Sequence, residues 1–83
     1  MNITVNSLKE MVVDFFNMEY QDTMHYITAH KDDSRVDSKQ TIKCAWDRAL
    51  GVAMFVQEIG VPYEWVADEY EKFKEKFKNL LTN

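Results

Sequence analysis

The sequence predicts an all-α fold, a single three-helix unit with helices over about residues 7–30, 39–59 and 62–81. Three observations predict it. Apolar residues recur at helical spacing in three stretches. Two breaks separate them, a charged loop over 31–38 and a turn at Gly60-Val61-Pro62. The chain has 83 residues, is 46% hydrophobic, and carries two glycines, one proline and one cysteine. That composition excludes a disordered tail, a collagen-like chain and a disulfide-stapled mini-protein, and the length allows one small core.

Residues 1–6 read as a short extended tail. Ser7-Leu8-Lys9-Glu10 has the form of a capping box, with a hydroxyl to accept a backbone N–H and a glutamate three residues on to reach back. Leu8, Met11, Val12, Phe15 and Phe16 then mark one helical face. Farther on the stripe reads Phe16, Tyr20, Met24, Ile27, and steps of four drift around a helix of 3.6 residues per turn. We read one helix, with an irregularity allowed near 17–22.

In the loop Lys31–Ser38, five of eight residues are charged and only Val36 is apolar. It closes on a helix start, where Asp37 or Ser38 can serve as N-cap. The second helix ends at Gly60, which supplies a left-handed position, and Pro62 prevents continuation. Pro62 also suits the first turn of the third helix. There the acids Glu64, Asp68 and Glu69 come early and Lys72, Lys74, Lys76 and Lys78 late, the order the helix dipole favours. The short connection makes helices two and three an antiparallel hairpin.

Helix three carries Tyr63, Val66, Tyr70, Phe73, Phe77 and Leu80 in alternating steps of three and four, a core-facing stripe. Helix two is apolar on every side. From Cys44 to Val56 only Asp47 and Arg48 are polar. Two neighbouring helices cannot cover it all, and a small core gains from association. We therefore expect a homodimer, with Ala45, Ala49, Leu50, Ala53, Met54 and Phe55 as the self-association surface and the alanine row as the line of close approach.

Charge argues against two classes of partner. Fourteen acids face ten Lys and Arg, a net charge of -4. Residues 1–34 hold six acids and two bases, and the remainder holds eight of each. Nucleic acid and anionic membrane surfaces are both disfavoured by that balance. No stretch reaches the ~20 apolar residues of a membrane span. The first residues show no secretory signal, and the lone Cys44 fits a reducing cytoplasm.

Few residues suggest chemistry. Asp22 and His25, three apart, could share a metal, with Glu19 and His30 nearby. Helical carboxylate metal sites need that pair twice, so it reads as a solvated face and no metal or cofactor is expected. Asp32, Asp33 and Asp37 lack the turn glycine and closing glutamate of a calcium loop. No Gly-rich phosphate loop is present, and no catalytic residue is assigned.

The segment Phe55-Val56-Gln57-Glu58-Ile59-Gly60-Val61-Pro62-Tyr63-Glu64-Trp65-Val66 resembles a helix-turn-helix core over some 20 residues. Val56 stands where that motif has a small residue, and Glu69 where it has an apolar one. The resemblance implies a small nucleic-acid-binding regulator, for which the bases Lys31, Arg35, Lys39 and Lys43 would meet phosphates. Its second helix, however, opens with acids that repel them. The preferred expectation is a non-catalytic interaction protein, a small regulator or inhibitor of the kind bacteria, phages or mobile elements encode. It would bind another protein through Trp65, Glu64, Asp68 and Glu71, since tryptophan is enriched at interface hot spots.

Overall fold

A computed structural model describes residues 3–81. Four helices follow in order: α1 (Val5–Ala29), α2 (Ser38–Glu58), α3 (Tyr63–Glu75) and the single turn α4 (Lys78–Leu81). The described residues contain no strand, so the fold is all-α.

α1 starts earlier than the Ser7 capping box implies. Thr4, in extended backbone, is the N-cap, and its hydroxyl accepts the Ser7 N–H at 3.0 Å. Ser7 instead lies in the first turn, its hydroxyl 2.9 Å from that of Thr4. Val5 and Asn6 are therefore helical rather than tail, while residues 1–2 lie outside the described residues. The helix runs through residues 17–22 without a break. It stops at His30, whose backbone N–H reaches back to the Tyr26 and Ile27 carbonyls. The His30 ring packs on that of Tyr26 at 4.2 Å, and its Nδ1–H donates to the Tyr26 carbonyl.

α2 is bounded by local chemistry. An Asp37 carboxylate oxygen accepts the Lys39 and Gln40 N–H groups at 3.0 and 3.3 Å. At the far end Gly60 takes φ 122°. The Val61 N–H then bonds the Val56 carbonyl and the Gly60 N–H that of Gln57. This is a Schellman closure, and Val61 and Val56 are both buried beside it.

The third helix is shorter than expected. Pro62 precedes it as N-cap, and α3 ends at Glu75 rather than continuing to Leu81. The Phe77 N–H bonds the Lys74 carbonyl and the Leu80 N–H the Phe77 carbonyl. These three-residue bonds tighten the chain and leave Phe77 fully buried. The stripe on helix three is trimmed accordingly: Val66, Phe73 and Phe77 are core, whereas Tyr63 and Leu80 at its ends are exposed.

The core draws on every long helix. α1 gives Leu8, Val12 and Phe16; α2 gives Ile42, Ala45, Ala49, Ala53 and Val56; Val61, Val66, Phe73 and Phe77 complete it. Size is divided between these faces. α2 offers a ridge of alanines, and the opposing side chains are aromatic: Phe16 lies 5.2 Å from Phe73, Tyr20 5.1 Å from Phe77, and Phe73 5.3 Å from Phe77. Small residues on one helix let bulky rings on two others fill the space at interior density.

Candidate interaction surface

The alanine ridge settles where the large apolar residues of α2 can go. Because Ala45, Ala49 and Ala53 face inward, Leu50, Met54 and Phe55 face outward, at 40%, 57% and 62% exposure. The expectation for helix two is thus corrected in part. The three alanines are buried inside the chain, where α1 and α3 pack on them, and they offer nothing to a second molecule. A row spaced by four marks one face of a helix, and that face turns out to be the inner one. The other three members of the set remain open.

Neighbouring elements extend the open patch. Toward α3, Leu50, Met54 and Gln57 line a groove of about 220 Å³ closed on its other side by Tyr63, Ala67 and Tyr70. Tyr63 is exposed. The Tyr70 hydroxyl donates to the Trp46 carbonyl at 3.2 Å, fixing the groove's far wall. Burial holds the Tyr70 phenol above its ordinary pKa.

Toward α1, the Arg48 guanidinium grips the Glu19 carboxylate with three hydrogen bonds of 2.9–3.1 Å. That pairing raises the guanidinium pKa. Farther along, Tyr26 shares a shallow cleft with Thr41 and Cys44. α1 and α2 are therefore antiparallel, and Met11 comes level with Phe55 and Val56. Met11 and Met18, seven residues apart on one flank of α1, are both exposed. Periodicity alone does not anticipate their exposure, or that of Tyr63. The one signal available is the seven-residue spacing of the two methionines, which lie off the Leu8–Val12–Phe16 face.

The other nominated residues are scattered. Trp65 is half-buried against the core with the Lys9 ammonium 5.2 Å over its ring, so it packs between helices rather than standing free as an anchor. Glu64 is exposed, while Asp68 and Glu71 are engaged by Lys72 and Lys74 at 3.0 and 3.1 Å. Lys31, Lys39 and Lys43 are exposed. Arg35 folds onto the Asp33 carboxylate at 3.0 Å, which holds that carboxyl below its ordinary pKa. The basic strip thus carries its own counter-charge.

Asp22 and His25 are exposed on α1, and among the described residues no three His, Cys, Asp or Glu side chains gather as a metal site. No helix among the described residues is long and apolar enough to cross a membrane. Two buried polar atoms of the described residues, Thr23 Oγ1 and Trp46 Nε1, lack a hydrogen-bond partner. Comparison with known protein families, curated protein sequences and solved structures gives no match.

Proposed function

We propose that this chain is a non-catalytic helical interaction module, a small cytoplasmic regulator or inhibitor that acts by binding protein, and that it self-associates through the outer face of α2. α2 and α3 form its antiparallel hairpin. One observation carries the reading: Leu50, Met54 and Phe55 stay open on one helix while its alanines fill the core. Leaving such side chains in water forgoes roughly 1–2 kcal/mol each relative to covering them. Leu50 and Met54, one turn apart, line one groove, and exposed apolar surface of this kind marks sites of association. Glu71 lines the groove beside the patch, and with the exposed acids Glu64 and Asp68 on the same helix it disfavours nucleic acid there.

Light scattering of the wild-type chain and of Phe55→Glu tests self-association. The wild type is expected at twice the 9.8 kDa chain mass and the variant at the chain mass with unchanged helicity. A wild-type monomer at high concentration overturns it. For protein binding, a photo-crosslinking residue is placed at Met54 and, as control, at Asp22 on the polar face. Discrete adducts from position 54 alone are expected in cells of the source organism. Equal labelling from both positions defeats the assignment.

A further inference from the structure

The groove between α2 and α3 is an apolar trough on one side of the molecule. Leu50 and Met54 stand on its α2 wall and Tyr63 and Tyr70 on its α3 wall, with the small Ala53 and Ala67 between them. Every lining residue belongs to α2 or α3. Leu50, Met54 and Tyr63 are exposed.

Its shape suits a helix. Leu50 to Gln57 on one wall, and Tyr63 to Tyr70 on the other, each advance about 10 Å at 1.5 Å per residue. That is two helical turns. Both walls spend their backbone N–H and C=O groups within their own helices, so the trough offers no ladder to an extended strand. It can take the apolar stripe of another helix, presented at i, i+3 or i+4 and i+7. Met54 is unbranched and adapts to the side chains set against it.

Charge identifies the kind of helix. Glu71 lines the groove. The Tyr70 pKa is raised by burial first and then by the charges of Asp47 and Glu71, which sets both carboxylates near that end. At the other end Glu58 is one turn past Met54, and Glu64 one turn before Ala67. All four acids are exposed. Lys74 pairs with Glu71 at 3.1 Å, and Lys43 stands one turn before Asp47. Asp47, Glu58 and Glu64 enter no ion pair among the described residues. The border of the trough is therefore acidic overall, and its complement is an apolar stripe with basic flanks. The exposed methionines of α1 do not supply one, because α1 holds four acids and one base.

We propose that the α2–α3 groove seats a basic amphipathic helix of another protein. About two turns of its apolar stripe fill the trough, and its Lys or Arg flanks meet Asp47 and Glu71 at one end and Glu58 and Glu64 at the other. This rests on the reading that the chain binds protein and names the partner's chemistry.

The probe is a fluorescent peptide of about four turns, with leucines at steps of three and four and lysines on both flanks. Anisotropy titration with the full chain should show saturable binding that weakens with salt. Exchanging the lysines for glutamates, or reordering the same residues to break the stripe, should weaken binding about tenfold or more. Amide shifts in the NMR spectrum of the chain should cluster on residues 50–57 and 63–71. Met54→Gln should weaken binding about fivefold or more. Glu58→Gln with Glu64→Gln should weaken it about threefold to tenfold and flatten its salt dependence. Asp22→Asn, on α1, should change neither, and helicity should be the same in every variant.

No binding, equal binding of the reordered peptide, or shifts centred elsewhere overturns the proposal. If discrete photo-crosslinks from position 54 persist in that case, the chain still binds protein and only the basic helix is lost. Phe55 lies about 140° around α2 from Leu50 and outside the groove, so Phe55→Glu probes self-association on a different side of the helix.

Discussion

Gly60 and Tyr70 show how single residues set local limits. Gly60 holds a positive φ in the Schellman closure of α2, where a Cβ is strained even though the space around it is open. Gly60→Ala is expected to cost about 1–2 kcal/mol, read as a lower urea midpoint with an unchanged slope. Tyr70 couples α3 to α2 by its hydroxyl. Tyr70→Phe keeps the ring and loses that bond, at about 1 kcal/mol at neutral pH. Because burial raises the folded pKa above the ordinary 10.0, the phenol's contribution is complete below pH 10 and declines as pH climbs through the folded value. The alkaline limb of stability should therefore be shallower in Tyr70→Phe than in the wild type, a comparison that circular dichroism between pH 8 and 12 makes directly.

At the scale of the element, the ends of α2 are legible in the sequence because their causes are local: an aspartate cap, a left-handed glycine and a proline. The start of α1 is less so, because Thr4 and Ser7 are both competent caps and only the backbone conformation at Thr4 decides between them. The end of α3 is not legible at all. No glycine or proline interrupts Lys72–Lys78, and the break arises from drawing Phe77 into contact with Tyr20, Trp46 and Phe73. Burial also explains the divided fortune of the α2 surface. Spacing groups the alanines, and crowding flags Leu50, Met54 and Phe55, but only packing shows that small residues point in and large ones out. Between elements, the Glu19–Arg48 clamp fixes the register of α1 on α2. Glu19→Gln is expected to cost about 1 kcal/mol or less, and the difference from wild type should shrink in high salt.

For the whole molecule, stability is small and its sources are concentrated. A chain of this length has about 4–12 kcal/mol of net stability. Phe77, buried where α1, α2 and α3 meet, carries a large share of it. Phe77→Ala is expected to cost about 3–5 kcal/mol and to leave the chain partly unfolded at 37 °C, as thermal melts followed at 222 nm should show. The molecule is also elongated, 46 × 25 × 15 Å, so its two ends are far enough apart to loosen separately.

The two indoles sit in separate regions of the bundle. Trp46 sits under the Lys74 ammonium at 5.5 Å, beside Phe77, and Trp65 under that of Lys9 at 5.2 Å, where α1 and α3 begin. Each ring is thus a native emitter with its own cationic lid. Replacing one by phenylalanine turns intrinsic fluorescence into a gauge of the other's surroundings, and the order in which the two emissions shift to the red on heating reveals which of the two contact regions loosens first.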